Sequence, residues 1–168
     1  MRRYVSLRKG IPFRSKSVLE VDNKKPDCGL CSAAQRICIF AMICNLCPRR
    51  CGADRSTPQG LKRSICRATD DVEIALVSLH AWEEPILESG NGAGTVFFSH
   101  CNLRCCFCQN YEISAGGKGL KVTTARLTDI FLEEAERGAS CIELVTPGHY
   151  TRQIREALLS AKAQGLKL

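Results

Sequence analysis

The chain has 168 residues, 45% of them hydrophobic and 24% charged. That is room for one ordinary domain, or a small module plus part of a larger one, and no apolar run approaches the roughly 20 residues of a membrane-spanning helix; collagen-like, disordered and integral membrane classes are excluded. The net charge of +7 sits mostly in residues 1–25, where eight Lys/Arg oppose Glu20 and Asp22, so the other 143 residues carry only +1 and a broad phosphate-binding face, and with it a nucleic-acid partner, is not expected.

Twelve cysteines are far above the usual share. Arg2, Arg3, Arg8 and Lys9 are not followed by a continuous apolar stretch, so no secretory signal is read, and the expected location is cytoplasmic. Cysteine enrichment in such a chain points to metal or cluster binding ahead of a disulfide framework.

In chain order, residues 1–27 form a basic arm broken by Gly10-Ile11-Pro12 and Lys24-Lys25-Pro26, expected to be disordered or of targeting type. Residues 28–70 are the cysteine-rich region, with Ala33–Cys44 apolar enough for a buried helix. Residues 71–168 open on Val72, Ile74, Leu76 and Leu79 in partial alternation, which predicts a strand or two over 70–81. A turn-rich loop covers Glu88–Gly94.

A regular pattern follows. Thr95–Phe98 is a β-branched and aromatic run suited to a buried strand. Residues 125–137 predict a helix with Leu127, Ile130, Phe131 and Ala135 on one face, capped by Thr124 and stopped by Gly138. Cys141–Val145 is the next strand, with Cys141 expected in the core. Thr151–Gln164 is a second helix, with Ile154, Ala157, Leu158 and Ala161 on one side and Gly165 as its stop. Leu166–Leu168 reads as the opening of a third strand.

Strand, helix, strand, helix, strand is the pattern of a parallel α/β architecture. A full barrel uses about 30 residues per βα unit, so the stretch from Thr95 holds about two units. The expected fold class is therefore α/β, the front part of a parallel (β/α) partial barrel, preceded by a small cysteine-rich metal-binding region and truncated at the C-terminus.

The chemistry is concentrated in Cys101-Asn102-Leu103-Arg104-Cys105-Cys106-Phe107-Cys108, directly after the first strand. Cys101, Cys105 and Cys108 are spaced C-x3-C-x2-C, which suits three corners of a [4Fe–4S] cluster and leaves the fourth iron open. Its place at the carboxyl end of a strand is where parallel α/β folds put their ligands. The alternative is a zinc loop, with Cys106 as fourth donor, or a set of buried thiols.

This octet at the end of a first barrel strand resembles the radical S-adenosylmethionine enzymes. Gly92–His100, Cys108-Gln109-Asn110-Tyr111-Glu112-Ile113-Ser114, Gly116-Gly117-Lys118 and Val122-Thr123 are similar to the pyruvate formate-lyase activating enzyme-like proteins, over roughly Cys44 to the end. The resemblance implies a partial or complete βα barrel and two cofactors, the [4Fe–4S] cluster and S-adenosyl-L-methionine. It implies Phe107, Asn110 and Thr146 as candidate cofactor contacts. The family's Gly-Gly-Glu at the second strand is replaced here by Leu144-Val145-Thr146-Pro147-Gly148-His149, which leaves that contact unassigned, with the Thr146 hydroxyl or main-chain carbonyls as candidate acceptors. The expected partners are a one-electron donor such as flavodoxin or ferredoxin and a protein or small-molecule substrate, with no membrane partner. No catalytic residue is assigned.

A second set, Cys44-x2-Cys47-x3-Cys51 with Cys66, suits a structural zinc site or a second iron–sulfur cluster. The resembling proteins carry its Cys44-Asn45-Leu46-Cys47-Pro48-Arg49-Arg50-Cys51 stretch ahead of the barrel. Cys28, Cys31 and Cys38 read equally as buried small hydrophobes or ligands. His149 is either an acid/base or substrate contact or a solvated loop histidine. Glu83 or Glu84 could line the site but reads first as half of a solvated pair, and Arg104 tunes cluster charge or points outward. The competing function classes are a zinc or iron–sulfur interaction module and an inactive remnant that keeps the motif without a complete pocket.

Overall fold

A computed structural model of the chain describes residues 44–81, 84 and 91–168. The basic arm, Cys28, Cys31, Cys38, nearly all of the expected helix over 33–44, Glu83 and residues 88–90 of the 88–94 loop lie outside the described residues.

The first described element is a one-and-a-half-turn helix, α1 (Pro58–Arg63), which pattern reading did not pick out. Thr57 caps it by accepting from the Gly60 amide, and Pro58 sits in the first turn, where a missing N–H costs nothing. Next comes the single long strand β1 (Val72–His80). β2 (Ala93–Phe98) contains the expected Thr95–Phe98 run and is buried at every residue but Phe97. A four-residue helix α2 (Tyr111–Ser114) and a three-residue strand β3 (Leu120–Val122) lead to helix α3 (Thr124–Glu136). β4 (Ile142–Val145), a 3₁₀ turn at Pro147–His149 and helix α4 (Thr151–Ala163) complete the order.

The four strands form one mixed sheet in the order β3-β1-β2-β4. Only β2 and β4 are parallel, with Gly94 opposite Ile142 and Phe97 opposite Val145. β1 runs antiparallel to both β2 and β3. The expected all-parallel sheet is thus corrected to an α/β fold with one parallel pair, open rather than closed. The physical reason is that β1 and β3 reach the sheet by connections that need no crossover helix.

The core is built from Val72 and Ile74 of β1, Val96 and Phe98 of β2, Leu127, Ile130 and Phe131 of α3, and Ile154, Ala157 and Ala161 of α4. Cys66 and Ala68 belong to the same cluster, so residues just before β1 pack on the sheet. Two expectations need correction here. Thr123, not Thr124, caps α3, its side chain accepting from the Arg126 amide. Leu166–Leu168 forms no strand; Leu166 instead tucks into the core, its amide bonded to the Ala161 carbonyl at 3.0 Å.

Candidate metal centre

Because β2 and β4 are parallel and stay paired up to Phe97 and Val145, the loops that follow them leave the sheet side by side. The first is the cysteine loop and the second begins at Thr146. Their proximity is direct: a Cβ on Gly148 would lie 3.6 Å from the Asn102 side-chain nitrogen.

The cysteine loop leaves β2 through Ser99 and His100. The Ser99 amide donates to the Glu73 carbonyl at 2.9 Å and its hydroxyl to the Lys118 carbonyl at 2.8 Å. His100 takes a left-handed backbone (φ 67°), and its Nε2 sits 3.2 Å from a Glu73 carboxylate oxygen, both side chains largely buried. The glycine run packs underneath. A Cβ on Gly119 would lie 2.0 Å from Ser99 Oγ, and one on Gly117 2.5 Å from the His100 ring, so the chain approaches this closely only without side chains.

Along the loop, Cys101 is buried, Cys108 half-buried, and Cys105 and Cys106 exposed. All four are free thiols. Cys101 Sγ accepts from the Leu103 amide at 3.4 Å, and Cys108 Sγ lies 3.2 Å from Ser114 Oγ. Arg104 is exposed and left-handed (φ 58°), marking a sharp bend between the first two ligand candidates. Phe107 is 85% exposed. Asn110 starts α2, and Thr146 is half-buried and left-handed (φ 56°) at the start of the 3₁₀ turn.

Cys44, Cys47 and Cys51 lie on a tight knuckle closed by the Cys44 amide on the Ala53 carbonyl at 2.9 Å and the Gly52 amide on the Cys44 carbonyl at 3.3 Å. Cys66 is in the core, its sulfur 3.3 Å from Ser64 Oγ. Cys141 is half-buried just ahead of β4 rather than in the core, with its carbonyl accepting from the Gly94 amide.

Among the described residues, no three His, Cys, Asp or Glu side chains gather to hold one metal ion. A closed zinc site requires such convergence on a single point. A [4Fe–4S] cluster requires something different, since its thiolates bind separate irons and surround it. The donor chemistry of the Cys101–Cys108 loop fits that second case, with three free soft ligands on one bent segment.

Two arginines that spacing arguments did not single out tie this region together. Arg49 donates from Nε to the Asn102 carbonyl and from Nη2 to the Leu103 carbonyl, both at 3.0 Å. Arg55, only 3% exposed, donates to the carbonyls of Ala68 (2.9 Å), His149 (2.7 Å) and Thr69, and its guanidinium lies 5.4 Å from the centre of the Tyr150 ring. Arg49 follows the Cys47-Pro48 pair, a signal of its neighbourhood but not of its acceptors.

His149 fits neither of its expected roles as a solvated group nor an open contact. It is 1% exposed, its Nε2 donates to the Ser99 carbonyl at 2.9 Å, and Nδ1 is buried without a hydrogen-bond partner. Burial pushes its pKa down to about 4, and the nearby Arg55 charge acts in the same direction. It is a neutral strut between the two loops.

No family model matches the chain, and no solved structure matches it. An uncharacterized protein of Methanocaldococcus jannaschii is 37% identical over 71 residues, which are 42% of this chain and 19% of that protein. The chain thus spans about a fifth of the length of the curated relative it matches. Among the described residues no helix is long and apolar enough to cross a membrane.

Proposed function

We propose that the chain is a radical S-adenosylmethionine enzyme of the pyruvate formate-lyase activating enzyme-like kind, or a fragment of one, working in the cytoplasm with a one-electron donor and a protein or small-molecule substrate. The observation that carries this reading is the set of three free thiols, Cys101, Cys105 and Cys108, on one bent loop at the carboxyl end of β2, beside the loop after the parallel strand β4. A [4Fe–4S] cluster held by Cys101, Cys105 and Cys108 would supply, at its open iron, one-electron reduction of the sulfonium of a bound S-adenosylmethionine.

The chain's own residues have defined tasks in this reading. Cys101, Cys105 and Cys108 are the ligands. Ser99, His100 and the glycine run hold the base of their loop. Thr146, with its left-handed backbone at the adjacent strand end, turns the second loop toward the first and offers its hydroxyl and carbonyl to a cofactor amino group. Phe107 and Asn110 are the remaining candidate contacts. The partial-barrel architecture belongs to the same proposal, with the parallel β2–α3–β4 unit as its described part.

The test is anaerobic reconstitution of the full chain with ferrous iron and sulfide. About four irons per chain are expected to bind, and to be lost when Cys101, Cys105 and Cys108 are all replaced by Ala. Unchanged iron in that variant overturns the assignment. The knuckle supports a second reading for Cys44, Cys47 and Cys51 with Cys66, a structural metal site independent of the first; metal remaining in the triple variant, identified by elemental analysis, distinguishes zinc from iron.

A further inference from the structure

We propose that Arg49 is a positioning residue for the cysteine loop, its guanidinium fork setting the bend of the backbone between Cys101 and Cys105. The inference rests on the reading of that loop as a cluster site. Asn102 and Leu103 are consecutive, and consecutive carbonyls of an extended chain point opposite ways. Both face one guanidinium here, at 3.0 Å from Nε and Nη2, which requires a bent backbone. The left-handed Arg104 completes that bend.

A brace must itself be fixed. Arg49 sits in the Cys44–Cys51 knuckle, whose turn is closed by the Arg50 amide on the Cys47 carbonyl at 3.1 Å and by the left-handed Arg50 (φ 42°). Six residues after Arg49, the buried Arg55 fastens this segment to the chain before β1 and to His149 after β4. One short segment thereby holds the loops after both parallel strands. The role demands arginine, because the two acceptors match a rigid planar fork, whereas a lysine ammonium is a single point on a flexible stem. It also gives the cysteine knuckle a purpose that needs no metal of its own.

The test compares Arg49→Lys and Arg49→Ala with the unaltered full chain. In the metal-free protein, both variants should keep their melting temperature within a few degrees while hydrogen exchange rises over residues 101–108. After anaerobic reconstitution with ferrous iron and sulfide, both should hold the cluster about tenfold more weakly, as loss of outer-shell support commonly does, and the reduced sample should give an altered electron paramagnetic resonance signal. Lys behaving like the unaltered chain would mean that charge, not the fork, matters, and would overturn the proposal. So would normal exchange and iron retention in both variants. If the unaltered chain binds no iron, the functional reading fails, and the exchange result alone decides whether Arg49 shapes the loop. Should Arg49→Ala not fold, Arg49→Lys carries the comparison.

Discussion

Arg55 and His149 show how much a single buried side chain can carry here. Arg55 gives hydrogen bonds to three main-chain carbonyls from a site 3% exposed, with Asp70 Oδ1 3.6 Å from its Nε as a partly solvated counter-charge. Arg55→Met keeps the volume but strands those carbonyls, and is expected to cost about 3 kcal/mol, measured by urea unfolding. His149 stays neutral down to a pKa of about 4, whereas in the unfolded chain it takes up a proton near its ordinary 6.5. Its contribution is therefore fully present above pH 6.5 and is lost as pH falls toward 4, by at most about 3 kcal/mol. His149→Gln should flatten the fall of unfolding midpoint between pH 7 and 4.5; an unchanged slope would show that the ring is not the group responsible. Neither role was legible in the sequence. A histidine four residues past a strand looks solvated until the neighbouring strand's end supplies the Ser99 carbonyl, and an arginine's acceptors 13 and 94 residues away leave no local trace.

Helices and strands were more legible where a long periodic face existed. α3 and α4 bury Leu127, Ile130 and Phe131, and Ile154, Ala157 and Ala161, the residues their spacing marks. The misses were short. α1 owes its existence to a cap and a first-turn proline, and β3 is three residues paired, among the described residues, to β1 alone. Leu166–Leu168 has an alternating pattern but no neighbouring strand among the described residues, and alternation without one is not a strand. The cap of α3 shows the same one-residue limit. Two threonines stand in a row, and only Thr123 has the extended backbone (φ −75°, ψ 160°) that aims its oxygen at the Arg126 amide. Thr123→Ala should lower stability by about 1 kcal/mol, and Thr124→Ala, inside the helix, by much less. Equal losses in the two variants would contradict the cap assignment.

At the scale of the whole molecule the sheet is asymmetric. β1 is its longest strand and lies inside it, flanked by β2 and β3, while β4 has a hydrogen-bonded neighbour on one side only among the described residues. Unpaired edges invite pairing with other chains. The 168-residue chain is therefore expected to self-associate as concentration rises, a trend that light scattering during gel filtration detects; a strictly monomeric species across a hundredfold concentration range would count against an open β4 edge.

The antiparallel β1 has one more effect. A closed barrel returns its last strand to the free flank of its first parallel strand, yet that flank of β2 is taken by β1 from Ala93 to Phe98. Strands added beside β4 can lengthen the wall but can never seal it at β2. Among the described residues the open hydrogen-bonding edges of the sheet are the outer sides of β3 and β4, so any strand that lengthens it must pair at one of those two.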